Sequence, residues 1–146
     1  MLIAGTDGSE SSIDALRAGL AIVAPDDVLL VTVVDHGDES LVSGTGMAGG
    51  VMTGAEFDEI EKARLGEAED ELARAAEALG LGSTETLVLR GEPARALCDL
   101  ATDRNARAIV LGTRGRGGVK RALLGSVSDH VVRNAPCPVV ITRPDE

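Results

Sequence analysis

Five short aliphatic runs set the terms for this chain: MLIAGT at 1–6, VLLVTVV at 28–34, TETLVL at 84–89, AIVLG at 108–112 and VVIT at 139–142. Between them lie stretches with the three-to-four residue spacing of helices. Strands alternating with helices mean right-handed crossovers and a parallel sheet. The predicted fold is therefore α/β: a single open, five-stranded, mostly parallel sheet with helices on both faces. Composition agrees. The chain has no Trp, no Tyr and one Phe, Phe57, so its core is built from Val, Leu, Ile and Ala. Central strands of buried parallel sheets read as such unbroken aliphatic runs. At 146 residues the chain forms one domain, 1–146.

The helices announce their ends. Ser11 with Asp14 fits a capping box, and Ile13, Leu16, Leu20 and Val23 follow on one face. Pro25, Asp26 and Asp27 break that helix. A long acidic helix is predicted over 55–79, with Phe57, Ile60, Ala68, Leu72, Ala76 and Leu79 facing inward. Asp58 with Lys62 and Asp70 with Arg74 are favourable i,i+4 pairs on it, and Gly80 and Gly82 end it. Pro93 suits a first helical position, with the helix running to about Asn105. Ser126 to Asn134 form a short helix before Pro136 and Pro138. Residues 36–54 hold six glycines and no clear period, which predicts a flexible loop or lid.

Charge excludes one class of function. Twenty-four acids against fourteen bases give a formal charge of −10, which repels a polyanion, so nucleic acid is not an expected partner. Such a balance belongs to an ordinary cytosolic protein or to a salt-adapted or high-GC organism. Asp7 comes too early for a signal peptide and no apolar stretch reaches membrane-spanning length, so a cytoplasmic protein with no membrane partner is expected. Cys98 and Cys137 lack metal-ligand spacing and read as buried reduced thiols.

Against this acidic background stands GTRGRGGVKRALLGS, 112–126, with five glycines, four positive charges and no acid. Successive glycines let backbone N–H groups approach an anion closely. A helix beginning at Ser126 adds unpaired amides and a positive dipole end. Arg114, Arg116, Lys120 and Arg121 raise the local potential. The segment is either a phosphate cradle or a basic, solvated loop. A Walker A loop is excluded, because Lys120 stands apart from Gly125–Ser126. GTGMAG, 44–49, matches GxGxxG but neither follows a strand nor opens a helix. His36 with Asp35 makes no metal site. Ser126 and His130 lack an orienting acid, since Asp129 points to a different helical face.

Gly112, two residues, Gly115, nine residues and then Gly125–Ser126 resembles the nucleotide motif of the universal stress protein family. GTDGS after the first strand, VTVVD in the second and GSVSDHVVRNAPCPVVIT at the end extend the resemblance over the whole chain. It implies a Rossmann-like sheet of order 3-2-1-4-5 and a homodimer through the edge strand Val139–Thr142. It implies bound ATP, with ADP or AMP as alternatives. Carried onto this sequence, Asp7 meets the ribose hydroxyls, the Val33 backbone meets the adenine edge, and Thr6 and Leu111 flank the base. Gly112, Gly115, Gly125, Ser126 and Val127 hold the phosphates. A carboxylate beside a polyphosphate serves a ribose or a Mg2+ ion; the alternative for Asp7 is a turn residue capping a helix.

The expected function is a nucleotide-dependent regulatory module in stress response, acting on a protein partner that the sequence does not name. Two rivals share the same residues: a slow ATP hydrolase or phosphotransferase, and an interaction protein with an empty site. Phosphoryl transfer needs a held metal and a group that orients the nucleophile. The sequence offers Ser126 and Asp7 for the metal, and no evident base.

Overall fold

A computed structural model describes residues 1–24, 27–35, 53–113 and 124–144 of the chain. Its elements run β1 (Leu2–Gly5), α1 (Glu10–Val23), β2 (Val28–Val34), α2 (Gly54–Ala78), β3 (Glu85–Arg90), α3 (Pro93–Asp103), β4 (Ala108–Gly112), α4 (Ser126–Asn134) and β5 (Val139–Thr142). The strands form one sheet in the order β3-β2-β1-β4-β5. Every pairing is parallel, so the sheet is wholly rather than mostly parallel. β5 and β3 are its edges.

The two-residue period of the strands splits the core into two layers. Ile3, Leu29, Val31, Ile109 and Leu111 point to one face and pack with Leu97 and Leu100 of α3 and Val131 of α4. Leu2, Ala4, Leu30 and Val110 point to the other and meet Leu16 of α1 and Leu72, Ala75 and Ala76 of α2. The aliphatic runs thus follow from burial on both faces. Gly19 lets α1 lie close against the sheet: a Cβ there would stand 2.7 Å from Val110 Cγ1. Beside it the Thr142 hydroxyl donates to the Ala15 carbonyl at 2.5 Å, fastening β5 to α1.

Several boundaries differ from expectation. α1 is capped by Ser9, not Ser11; the Ser12 amide donates to the Ser9 side chain and the helix begins at Glu10. α2 starts at Gly54, with Thr53 as N-cap and Glu56 completing a capping box. The predicted lid therefore reaches two residues too far, and its remainder, 36–52, lies outside the described residues. α3 ends at Asp103, and Asn105 turns the chain with φ 49°.

The inner face of α2 is also shorter than its periodicity implies. Ile60 is 46% exposed, and the fully packed residues are Leu72, Ala75 and Ala76. The reason is length. A 25-residue helix spans about 37 Å at 1.5 Å per residue, whereas a six-residue strand covers about 20 Å. Only the C-terminal half of α2 lies on the sheet. Glu61, 3.9 Å from Arg90 at the end of β3, marks where the helix passes the carboxyl ends of the strands. On α2, Glu61 pairs with Arg64 and with Arg90. No helix among the described residues is long and apolar enough to cross a membrane.

Candidate functional site

In an open parallel sheet, ligands bind beyond the carboxyl ends of the strands where the strand order reverses. Here that point lies between β1 and β4, the neighbours from which the chain proceeds in opposite directions. The register Gly5↔Leu111 places Thr6 and Gly112 side by side just past the strand ends. On the other side of β1, Gly5↔Val31 places half-buried Val33 two residues further along β2.

The turn after β1 is tightly knitted. Thr6 is buried; its amide donates to Val31 O at 2.9 Å, and its hydroxyl lies 3.0 Å from the Ser12 hydroxyl. Gly8 takes φ 77° and donates its amide to Thr6 Oγ1 at 3.0 Å. Asp7 Oδ1 accepts from the Ser9 amide at 3.0 Å and from the Ser9 hydroxyl at 2.6 Å. Ser9 Oγ in turn accepts from the Ser12 amide at 3.2 Å. Asp7 therefore holds the cap of α1 in place.

The segment after β4 is built differently. Leu111 is buried against the α3 and α4 layer. The Thr113 amide donates to Thr142 O at 2.8 Å, extending the β4–β5 ladder by one residue. Its carbonyl accepts from the Gly125 amide at 2.7 Å and from the Ser128 hydroxyl at 3.3 Å. These bonds seat the first turn of α4 directly over the end of β4. Gly125 is the N-cap, extended at φ −76°, ψ 166°, and makes no side-chain cap bond. The Ser128 hydroxyl is turned to the Gly125 carbonyl at 3.0 Å. Ser126 is exposed, and Val127 is half-buried against the core.

All four described helices begin at this end of the sheet. Ser9 caps α1, Thr53 and Glu56 cap α2, and the Glu92 carboxylate caps α3 by accepting from the Ala94 amide at 3.0 Å and the Arg95 amide at 2.8 Å. Those amides, Arg95 first and then Ala94, hold the Glu92 carboxyl below its ordinary range. Only α4 has a glycine where a capping side chain would stand. An uncapped helix start with its positive dipole end can accept an anion.

Of the predicted site residues, Thr6, Asp7, Leu111, Gly112, Gly125, Ser126 and Val127 come together around the ends of β1 and β4, and Val33 lies on the adjoining strand. Gly115 lies outside the described residues, as do Arg114, Arg116, Lys120, Arg121, His36 and the GTGMAG stretch. One residue was missed. Thr113 is 5% exposed, and its hydroxyl has no hydrogen-bond partner among the described residues. Its place in the β4 alternation, two residues beyond inward-facing Leu111, is readable in the sequence; its burial and its unpartnered hydroxyl are not. His130 is exposed; Asp129 pairs with Arg133 at 3.0 Å. Cys98 and Cys137 are free, and burial pushes both thiols up. Among the described residues no three His, Cys, Asp or Glu gather to hold a metal ion.

A model of the universal stress protein family matches residues 1–143. The chain belongs to this family. Among its universal stress protein relatives, YxiE of Bacillus subtilis is 34% identical over 148 residues, covering 98% of this chain and 97% of that one. A universal stress protein of Thermus aquaticus is 44% identical over 87 residues, which span 60% of this chain and 64% of that protein's length. A solved universal stress protein in complex with cAMP shares the fold at a TM-score of 0.59 and 25% identity, covering 99% of this chain and 96% of that one.

Proposed function

We propose that this universal stress protein binds an adenine nucleotide, ATP with ADP or AMP as alternatives, at the junction of β1, β4 and α4. The observation that carries the reading is the N-terminus of α4. It is the one described helix start with no capping side chain, and it sits at the strand-order switch point. The cAMP complex of a relative with the same fold supports an adenine nucleotide as the ligand class.

In this arrangement Gly112, Gly115, Gly125, Ser126 and Val127 present amides, and Ser126 its hydroxyl, to the phosphates. Asp7 accepts from the ribose hydroxyls, Thr6 and Leu111 flank the base, and the Val33 backbone meets its edge. A Mg2+ ion would be carried chiefly by the phosphate oxygens. The nucleotide acts as a regulatory ligand in a cytoplasmic stress response, its occupancy changing how the protein meets a protein partner, with turnover slow or absent. Two copies pair through the edge strand β5 (Val139–Thr142), because an aliphatic edge is a liability unless covered.

The test has three parts. Denatured protein should release an adenine nucleotide on chromatography, or the purified apo form should bind ATP by isothermal titration. Failure of both removes the reading. A steady hydrolysis rate of about 1 per second, within the ordinary enzyme range, would make the protein an enzyme instead. Light scattering that shows a monomer with and without ATP would remove the β5 dimer.

A further inference from the structure

Among the described residues, Thr113 is the buried residue at the site whose side-chain oxygen has no hydrogen-bond partner. It is 5% exposed, and its Oγ1 has no partner among the described residues. Its backbone is fully engaged: the amide to Thr142 O, the carbonyl to the Gly125 amide and the Ser128 hydroxyl. The ladder bond to Thr142 continues the β4 alternation one step further. Ile109 and Leu111 face the α3 and α4 layer, so Thr113, next in that series, lies beneath the first turn of α4. The neighbouring hydroxyls are spent: Thr6 on Ser12 and Gly8, Ser128 on two carbonyls.

A buried hydroxyl without a partner is costly, and a native protein retains one for a reason. The nearest such reason is an acceptor at the uncapped start of α4. We propose that Thr113 is a ligand-binding residue of the site, its hydroxyl donating to an oxygen of an anionic phosphate group bound at the α4 N-terminus. The inference rests on the nucleotide reading and adds to it a side-chain donor within the protein, beneath the anion. It also joins the site to the sheet edge. Thr113 holds the end of β5 through Thr142, and Thr142 holds α1 through Ala15. A phosphate that fixes Thr113 therefore fixes the end of the edge strand.

Thr113→Val keeps the shape and removes the hydroxyl; Thr113→Ser restores a hydroxyl. If the hydroxyl serves only the ligand, the two readouts move in opposite senses. The free Thr113→Val protein should melt at or above the wild-type temperature, by up to about 2–4 °C, because an unsatisfied buried donor is gone. Its affinity for ATP and for inorganic triphosphate should fall about tenfold, the scale of one hydrogen bond to a charged group. Adenosine should bind as to wild type, and Thr113→Ser should recover most of the triphosphate affinity. Wild-type binding of ATP and triphosphate by Thr113→Val overturns the inference and leaves the nucleotide reading standing. A lower melting temperature that Thr113→Ser restores also overturns it, since the hydroxyl would then serve the fold. If the wild type binds neither ATP nor triphosphate, the nucleotide reading fails, and the Thr113 assignment falls with it.

Discussion

The starts of α1 and α4 stand on neighbouring strands at the same end of the sheet, yet they treat their backbone amides in opposite ways. α1 is closed on itself. Ser9 accepts from the Ser12 amide, Asp7 fixes Ser9, and Thr6 and Ser12 join beneath them. α4 is open. Its cap is Gly125, and the buried Thr113 below it has a hydroxyl with no partner among the described residues. A side-chain cap contributes about 1 kcal/mol to a helix, and glycine gives up only a few tenths of that. The small sacrifice at α4 leaves one of the four described helix starts without a side-chain cap, the start at which the nucleotide is proposed to bind. On the proposed reading, the difference teaches that the site is marked by the helix start left without a side-chain cap, more than by the start whose turn is richest in internal hydrogen bonds.

The comparison can be broken most directly at α4. Gly125→Asp places a side chain and a negative charge where the anion should sit. Two like charges about 4 Å apart repel by roughly 1 kcal/mol in water and by several at lower effective dielectric. ATP binding should fall below detection in isothermal titration while circular dichroism shows an intact fold. Wild-type affinity in this variant would make the open helix start irrelevant to ligand.

Asp7 tests the border between the two regions. It braces the α1 cap through Ser9 and is also the residue assigned to the ribose. Asp7→Ala should weaken ATP severalfold or more while leaving inorganic triphosphate nearly unchanged, each read by titration. Equal losses for the two ligands would show that Asp7 acts through the shape of the turn and not on the sugar.

Ser9→Ala strikes the closed end alone. Loss of the cap should cost about 1 kcal/mol, or about 2–4 °C in melting temperature for a domain near this size. Triphosphate affinity should stay within about twofold. A stability loss near zero would mean that Asp7 and Ser12 complete the turn without it.

The smallest effect concerns α3, whose cap is a carboxylate. Glu92 is held below the ordinary carboxylate range by the Arg95 and Ala94 amides. A group whose pKa is depressed on folding contributes stability above its unfolded value, about 4.3, and loses it as pH falls through the lowered folded value. Wild-type melting temperature should therefore decline on the acid side of that range, and Glu92→Gln should flatten the decline slightly. The change is small because the residue is exposed and solvent screens it. Superimposable acid profiles would show that the cap contributes nothing through charge.

The fold was legible because burial on both faces leaves a plain signature. VLLVTVV and AIVLG can be little else in a chain without aromatic mass, and the turns between elements carry Pro, Gly and Asp where expected. The cap of α1 was harder. Three serines stand at 9, 11 and 12, and the choice of Ser9 depends on Asp7 and Thr6 closing the turn beneath it. Ile60 was misplaced because periodicity reports which face of a helix is apolar, not how far the sheet extends under it. The segments after β1 and β4 stand out by position at strand ends, whereas the individual residues proposed for the site are named through the family resemblance. The Thr113 hydroxyl could not be read from the sequence, because an unsatisfied donor exists only relative to what packs around it.

The length of α2 carries a last consequence. The helix is anchored through Leu72, Ala75 and Ala76, and its first turns extend past the sheet as a cantilever, steadied near the rim by Glu61 and Arg90. Free energies of local opening follow local packing. Amides around residue 75 should exchange with deuterium only when the whole domain opens, while those between 55 and 60 should exchange through fraying. One helix then spans both ends of the molecule's stability scale, and its loosely held half is the part that overhangs the switch-point end of the sheet.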